Sequence, residues 1–414
     1  MADEVAAAFA DQTHLLVQAG TGTGKSLGYL VPALLHPERV VVATATLALQ
    51  HQLVERDIPR LVEALDSIPG IDTSHAVLKG RSNYACLHRI RAGVPDDQGT
   101  LVEAPQGSMA RKVLELRSWA EEEAESGGAG ERDHAPRHSD REWRQVSVNH
   151  RECLGAAKCP FGAECFAELA KERAARSHLI VTNHSLLAID AIEGIPMIPD
   201  YAAVVIDEAH ELVARVTQAA TDELAVADIE RAARRATRWV SDVEGDVAGD
   251  LEDAAGALSE ALEVVSPGRF DSVPDQLGDA LVVVRDAARA CLSAFPRDPG
   301  GEQATDAGRT QAKGSVQEVF TIAERMASGD QADVLWLSEA RERHPARLHV
   351  APLQVWGQMR DKLLTERTVV FTSATLMLGG DFGAVAGSLG LKPAERETEP
   401  GRPVTGEDAL GWRA

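Results

Sequence analysis

The sequence has no run of eighteen or more apolar residues, although 44% of its 414 residues are hydrophobic. A helix needs about 20 such residues to cross a bilayer, so the sequence predicts no membrane span and no membrane partner. The first residues, MADEVAAAFADQ, contain neither a basic leader nor the apolar segment of a secretory signal. We therefore expect a cytoplasmic protein with enough apolar mass for two or three compact units.

Basic residues are also scarce. Lys and Arg number 42 against 64 Asp and Glu, which gives a formal net charge of -22. This balance argues against broad electrostatic binding to nucleic acid, because neutralisation of phosphates supplies non-specific affinity. The excess acid is uneven, since residues 213–335 hold 23 acidic and 12 basic side chains and so account for half of it. Other surfaces can therefore be basic.

Cysteine occurs only five times, and an odd count argues against a disulfide framework. Four cysteines cluster in the first half of the chain: Cys86, Cys153, Cys159 and Cys165. Their spacing lacks the C-x2-C pairs of zinc fingers, whereas four thiolates are the usual ligands of a [4Fe–4S] cluster. Iron–sulfur ligation is the leading interpretation. Buried unliganded thiols are one alternative, and zinc is another because of three nearby histidines, His134, His138 and His150.

A glycine-rich loop follows the short apolar run Leu15-Leu16-Val17-Gln18 and precedes a helical segment. The loop reads Ala19-Gly20-Thr21-Gly22-Thr23-Gly24-Lys25-Ser26. Glycines let successive backbone N–H groups converge on phosphate oxygens at a helix N-terminus. We expect the loop from Gly20 to Ser26 to bind ATP, with Lys25 reaching the β- and γ-phosphates and Ser26 binding magnesium. A chance glycine-rich turn is the alternative.

Two carboxylates follow a second buried-strand candidate, residues 203–206, in the segment Asp207-Glu208-Ala209-His210. In a parallel sheet they would lie at the carboxyl edge, beside the phosphate loop. We expect Asp207 to hold magnesium and Glu208 to orient or deprotonate the attacking water. The predicted catalytic residues are Lys25, Asp207, Glu208 and His210. A solvated acidic turn is the alternative for this segment.

The glycine-rich loop, D-E-A-H and the later segment Ser373-Ala374-Thr375 resemble, in this order, the signature of superfamily 2 helicases. The first motif of that family reads A-x-x-G-x-G-K-[ST], which accommodates Ala19. The resemblance implies that Ser373 and Thr375 couple the nucleotide state to strand binding. Thr44 and Thr46 resemble a motif that contacts the backbone of single-stranded DNA, and ordinary strand-end residues are the alternative.

Two further segments narrow the resemblance to the DinG/XPD-like iron–sulfur helicases, and the DinG branch fits better. The first, residues 79–86, reads KGRSNYAC and resembles the start of the iron–sulfur domain; the second, residues 181–187, reads VTNHSLL and resembles the block before D-E-A-H. The resemblance implies 5′-to-3′ translocation on single-stranded DNA and unwinding of forked or duplex DNA in repair or replication. It also implies ATP, magnesium and a [4Fe–4S] cluster as cofactors.

The predicted fold class is α/β, a RecA-like P-loop domain with a parallel sheet that carries two insertions. The motor domain is assigned to residues 1–78, 177–212 and 336–396. An iron–sulfur insertion occupies 79–176, and an arch-like helical insertion occupies 213–335. Four aromatic residues of the first insertion are candidates for base stacking, with burial in the core as the alternative: Tyr84, Trp143, Phe161 and Phe166.

Only 39 residues follow Thr375, and none resembles a second RecA-like domain with its arginine-bearing motif. Residues 397–414 are predicted to be a disordered tail. The adenine-reading segment that the family carries before the loop is not found either. We expect a chain truncated after the first motor domain, with weak ATP binding and little strand-stimulated hydrolysis. A non-catalytic nucleotide- or nucleic-acid-binding fragment, and a P-loop ATPase with a zinc-stabilised insertion, are the alternative functions.

Overall fold

The computed structural model describes most of the chain, in ten segments. They are residues 1–20, 22–65, 67–92, 108–150, 152–191, 194–240, 245–296, 307–340, 346–397 and 410–414. These residues form two compact units, each made of separate stretches of sequence. Unit 1 comprises residues 1–80, 169–220 and 354–414, and unit 2 comprises residues 81–168 and 221–353.

The strands are short, between two and six residues each. In chain order they are β1 (His14–Gln18), β2 (Val40–Thr44), β3 (His75–Val77), β4 (Leu179–Asn183), β5 (Ala203–Asp207), β6 (Asp222–Leu224), β7 (Gly268–Arg269), β8 (Asp333–Leu337), β9 (Leu348–Pro352), β10 (Thr368–Ser373) and β11 (Trp412–Arg413).

The helices of unit 1 alternate with its strands, whereas those of unit 2 follow one another in a long series. In chain order the α-helices are α1 (Ala2–Asp11), α2 (Lys25–Leu35), α3 (Leu47–Gln52), α4 (Ile58–Leu65), α5 (Leu87–Ala92), α6 (Ser108–Ser126), α7 (Asp140–Trp143), α8 (Phe166–Ala175), α9 (His184–Ala191), α10 (Leu212–Ala219), α11 (Val226–Val240), α12 (Val247–Glu263), α13 (Asp275–Ala294), α14 (Ala307–Ala327), α15 (Trp356–Met359) and α16 (Gly383–Ser388).

A seven-stranded parallel sheet forms the centre of unit 1, in the order β11-β1-β10-β5-β2-β4-β3. Strands β2 and β5 are buried along their whole length, which explains why their sequences are apolar without alternation. The sheet confirms the predicted α/β fold class with a parallel sheet. Because β1, β10 and β5 are adjacent parallel strands, the three motifs that follow them meet at the carboxyl ends of these strands.

A helical bundle dominates unit 2, in which α11 packs on α12 and α14, and α13 packs on the same two helices. Its core consists largely of Ala, Leu and Val side chains at helical spacing. Cys291 lies fully buried in this core, where it packs as a small hydrophobic side chain. The numerous acidic residues of the bundle helices lie mainly outside this apolar core.

A four-stranded sheet, in the order β6-β9-β8-β7, also belongs to unit 2, and its strands are antiparallel. The sequence assigned residues 336–353 to the motor domain, whereas the structure places them in unit 2. The reason is the long-range pairing of β9 with β6 and β8, which local sequence pattern does not reveal. The two predicted insertions also share a single unit.

The predicted disordered tail, residues 397–414, is partly ordered. Strand β11 pairs with β1, and the Trp412 side chain is 1% exposed and donates a hydrogen bond from Nε1 to the Lys392 carbonyl oxygen at 2.8 Å. Arg413 forms ion pairs with Asp11 and Glu397. The disorder prediction is therefore wrong for Glu397 and for residues 410–414, while residues 398–409 lie outside the described residues.

Among the helices of the described residues, none combines the length and the apolar character that a membrane crossing requires.

Candidate functional site

The glycine-rich loop connects β1 to the first residue of α2, Lys25. Gly22 and Gly24 have φ values of 76° and 81°, in the left-handed region that favours glycine. A Cβ atom at either position would meet no heavy atom within 4 Å, so the requirement for glycine is conformational rather than steric. The Thr23 hydroxyl donates to the Gly20 carbonyl oxygen at 2.8 Å and closes the turn. Thr21, predicted as part of the same site, lies outside the described residues.

The Lys25 ammonium lies between the two carboxylates of D-E-A-H, 2.7 Å from Asp207 Oδ1 and 2.5 Å from Glu208 Oε1. Burial alone would lower the pKa of Lys25, but hydrogen bonds and charge from both carboxylates outweigh it and raise that pKa. Burial likewise opposes the ionisation of Glu208, and Lys25 again prevails and lowers its pKa. The structure thus brings the predicted lysine and both predicted carboxylates into direct contact.

Asp207 is the last residue of β5, with only 2% of its surface exposed. Its Oδ2 atom accepts a hydrogen bond from the Tyr29 hydroxyl at 3.0 Å, and its Oδ1 atom accepts one from the Glu208 backbone N–H at 2.8 Å. Burial and the charge of Asp207 raise the pKa of Tyr29 well above its ordinary value, so the phenol keeps its proton. Sequence reasoning missed Tyr29, whose signal is its position four residues after Lys25 on one helix face.

Glu208 connects D-E-A-H to the S-A-T segment. Its backbone has a φ of 54°, which is uncommon for a residue with a side chain, and its Oε2 atom accepts a hydrogen bond from the Ser373 hydroxyl at 3.0 Å. His210 Nδ1 lies 2.7 Å from the same hydroxyl oxygen. Because Ser373 gives its one proton to Glu208, Nδ1 of His210 must be the donor in that contact. Four predicted residues therefore form one network with Lys25.

The backbone of the loop after Ser373 is hydrogen-bonded to a side chain of β1, Gln18. Gln18 Oε1 accepts hydrogen bonds from the backbone N–H groups of Leu376 and Met377, at 2.9 and 2.7 Å. Thr375 is exposed, and its backbone N–H donates to Ser373 Oγ at 3.3 Å. Gln18 is a second residue that the sequence did not single out, because its partners lie more than 350 residues away.

Thr44 and Thr46 differ in their accessibility. Thr44 is fully buried at the end of β2, and its hydroxyl donates to carbonyl oxygens of Thr46 and Thr182. Its hydroxyl is therefore directed into the interior, and the contact of Thr44 with a DNA backbone stays a prediction. Thr46 is exposed and caps α3 by accepting a hydrogen bond from the Leu49 backbone N–H at 3.3 Å.

The four clustered cysteines line a single cavity of unit 2, with an empty volume of about 560 Å³ that includes its open mouth. Burial raises the pKa of the Cys86 thiol to about 11, and it also raises the pKa values of Cys159 and Cys165. Arg81 lines the same cavity and pairs with Glu168 at 2.5 Å. The structure therefore brings all four predicted thiol ligands to one place.

Among the described residues, no three His, Cys, Asp or Glu side chains are grouped closely enough to hold one metal ion. His138, one of the three histidines near the cysteines in sequence, stacks on the Trp143 ring, with 5.0 Å between the ring centroids.

Three of the four aromatic candidates for base stacking are core residues. Tyr84, Trp143 and Phe166 are each at most 2% exposed, so the prediction of base stacking is wrong for them. The Trp143 indole donates to the Ser82 carbonyl oxygen at 2.6 Å, which ties it to the interior. Phe161 is partly exposed and lies beneath the Arg91 guanidinium.

The parallel sheet with a glycine-rich loop between its first strand and α2 defines the class of P-loop proteins. Within that class, the chain is homologous to the DinG and YoaA ATP-dependent helicases. It is 42% identical to the ATP-dependent helicase DinG of Mycobacterium tuberculosis over 412 residues, covering 94% of this chain and 61% of that protein. It is 28% identical to the ATP-dependent DNA helicase YoaA of Escherichia coli, covering 95% and 62%.

The chain thus spans about three fifths of the length of these relatives. No protein-family model matches it. Among solved structures, it is similar to a chain titled XPD helicase, with a TM-score of 0.48 and 15% identity, covering 94% of this chain and 59% of that one. A truncated XPD gives a TM-score of 0.49 and 16% identity, covering 94% and 96%. The similarity to helicases therefore rests on the sequence relatives.

Proposed function

We propose that this chain is the first motor half of a DinG-type ATP-dependent DNA helicase. The network that joins Lys25 to Asp207 and Glu208, and Glu208 to Ser373, carries the proposal. It links the phosphate loop, the acidic motif and the coupling motif through side chains at one sheet edge. Phosphoryl transfer needs such a division of labour, with a cation for the phosphates and carboxylates for the metal and the water.

ATP and magnesium are the ligands that this site is proposed to take. Gly20–Gly24 would offer backbone N–H groups to phosphate, and Lys25 would exchange its carboxylate partners for phosphate oxygens. Ser26 and Asp207 supply the hard oxygen donors that magnesium prefers, and bound magnesium would neutralise phosphate charge. Glu208 would orient the attacking water, with His210 and Ser373 fixing its carboxylate.

DNA is the proposed macromolecular partner, as single strands and as forked or duplex substrates in repair or replication. The exposed residues Thr46 and Thr375 are the proposed contacts of this unit with the strand or with the coupling machinery. Translocation from 5′ to 3′ and a cytoplasmic location, where ATP and chromosomal DNA are available, complete the proposal. The two relatives, DinG of Mycobacterium tuberculosis and YoaA of Escherichia coli, are ATP-dependent helicases by name, which supports the proposed helicase activity.

Nucleotide binding provides the direct test. The purified chain is titrated with a fluorescent ATP analogue in magnesium, beside Lys25→Ala and a control, Lys362→Ala, which removes an exposed lysine of unit 1. Lys25→Ala is expected to weaken binding about 10- to 100-fold, because a hydrogen bond between charged groups is lost. The control should bind like the unsubstituted chain. Equal affinity in all three proteins would overturn the proposed site.

A [4Fe–4S] cluster is proposed for the cysteine-lined cavity of unit 2. The donor set fits, because four thiols converge there, and a bound cluster would add iron–thiolate bonds that tie Cys86 to residues 153–165. Anaerobically purified protein should be brown and contain about four iron and four sulfide per chain. Cys86→Ser should lower the iron content, whereas Cys291→Ala, which removes the cysteine of the helical core, should retain it. Colourless protein with bound zinc would overturn this assignment.

A further inference from the structure

We propose that Tyr29 is a positioning residue of the nucleotide site, which fixes the orientation of the predicted magnesium ligand Asp207. This inference rests on the proposed function and adds a residue that no motif contains. Tyr29 lies on α2, three residues after Ser26 and four after Lys25, so the three side chains share one face of the helix. Its side chain is fully buried beneath the loop.

The contact with Asp207 fixes the direction of that carboxylate. Oδ2 accepts from the Tyr29 hydroxyl at 3.0 Å, while Oδ1 accepts from Lys25 and from the Glu208 backbone N–H. With a donor on each oxygen, the carboxylate cannot rotate without breaking a hydrogen bond. When a nucleotide draws Lys25 away, Tyr29 and the backbone donor remain.

Groups that are hydrogen-bonded to metal ligands generally raise metal affinity, because they hold the ligand in its binding orientation. The Tyr29 hydroxyl makes such a contact with Asp207.

Packing alone does not explain why the buried side chain at position 29 carries a hydroxyl group. A phenylalanine would fill the same space, and a buried hydroxyl costs free energy unless it is hydrogen-bonded. The chain offers a contrast in Tyr201, a buried tyrosine of unit 1 whose hydroxyl has no hydrogen-bond partner among the described residues. Removing the hydroxyl from either residue deletes the same atom, but only at Tyr29 does it remove a hydrogen bond to a predicted magnesium ligand.

The test compares Tyr29→Phe with Tyr201→Phe in the full chain. Binding of a fluorescent ATP analogue is measured first in EDTA and then as a function of Mg²⁺ concentration. For Tyr29→Phe we expect the Mg²⁺ concentration at half-maximal enhancement to rise about 10-fold, as is typical when a partner of a metal ligand is removed. Metal-free binding should not change, and Tyr201→Phe should match the unsubstituted chain.

A double-substitution cycle adds a readout that a purely structural role would not produce. If Tyr29 acts through Asp207, the Mg²⁺ shift of Asp207→Asn/Tyr29→Phe should be smaller than the summed shifts, in logarithmic units, of the two single variants. Circular dichroism establishes that each variant is folded, and Tyr29→Met serves as a second phenol-free variant if Tyr29→Phe does not fold.

The possible results separate this inference from the proposed function. An unchanged Mg²⁺ midpoint in Tyr29→Phe, with normal binding by the unsubstituted chain, overturns the role of Tyr29 alone. So does an equal loss of metal-free and magnesium-dependent binding, which would indicate a packing defect. Absence of Mg²⁺-dependent binding in the unsubstituted chain would instead overturn the nucleotide site, and this inference with it.

Discussion

Ser373 donates a hydrogen bond to Glu208 over 3.0 Å, although 165 residues separate the two in sequence. Ser373 is fully buried, so its hydroxyl serves the interior of the site rather than a bound strand. Because Glu208 also binds Lys25, a change at the phosphate loop can reach the S-A-T segment through a single carboxylate. This relationship gives a physical basis for the coupling role that the family resemblance implies.

Substitution of Ser373 should therefore lower the stability of unit 1. Ser373→Ala removes a donor from a charged acceptor, and we expect the free energy of unfolding to fall by about 1–3 kcal/mol. Urea denaturation followed by tryptophan fluorescence measures the change. Thr375→Ala is the control, because only the backbone of Thr375 contacts Ser373, and it should be neutral. Equal midpoints for the two variants would contradict the importance of the hydroxyl.

Two buried histidines of unit 1 should make the protein sensitive to mild acid. Burial lowers the pKa values of His14 and His184 to about 4, whereas an unfolded histidine titrates near 6.5. Between these values the unfolded chain binds protons that the folded chain does not, so stability falls as the pH falls from about 6.5 to 4. Each shift corresponds to about 3 kcal/mol.

The free energy of unfolding, measured across that pH range, should fall as the pH falls. Substitution of either histidine should make this pH dependence less steep. In His14→Asn, the new carboxamide oxygen can accept from the Val369 backbone N–H, as His14 Nδ1 does. In His184→Gln, the amide can donate to the Asp207 carbonyl oxygen, which the histidine contacts at 2.8 Å. A pH dependence identical to that of the unsubstituted protein in both variants would contradict the prediction.

The ordered end of the chain should contribute measurably to unit 1. Trp412→Ala removes a buried indole and its hydrogen bond, and we expect a loss of about 3–5 kcal/mol. Trp356→Ala is a matched control in the same unit, because that tryptophan is 44% exposed. Thermal unfolding followed by circular dichroism should show a clearly lower Tm for the first variant only. Similar Tm values would indicate that β11 does not stabilise the sheet.

A buried ion pair gives a fourth test. The two terminal guanidinium nitrogens of Arg360 donate to the Glu395 carboxylate, at 2.5 and 2.9 Å. Both side chains are less than 10% exposed. Arg360→Met leaves a buried unpaired carboxylate and should cost about 3–5 kcal/mol, whereas Arg360→Met/Glu395→Leu should recover much of that loss. Arg176→Met, which breaks an exposed pair with Glu172, should have little effect in the same denaturation assay. A mild effect of Arg360→Met would contradict the argument.

The sequence predicted the chemistry of the site more fully than its geometry. Lys25, Asp207 and Glu208 were recognisable because glycine spacing and adjacent carboxylates after apolar strands are local patterns. Thr44 could not be judged in this way, because its accessibility depends on the neighbouring strand β4. The assignment of residues 336–353 failed for a related reason, since antiparallel pairing with β6 is not encoded by a local pattern.

By itself, then, the sequence determined the fold class and the order of the motifs, and it predicted the residues that are proposed to bind phosphate, magnesium and iron. These properties follow from residue type and short-range spacing, which the chain carries in any conformation. The tertiary structure decided that β10 lies between β1 and β5, that the Tyr29 hydroxyl donates to Asp207, and that β11 pairs with β1 at the edge of the sheet. These relationships join residues far apart along the chain, so only the packing of the folded chain specifies them.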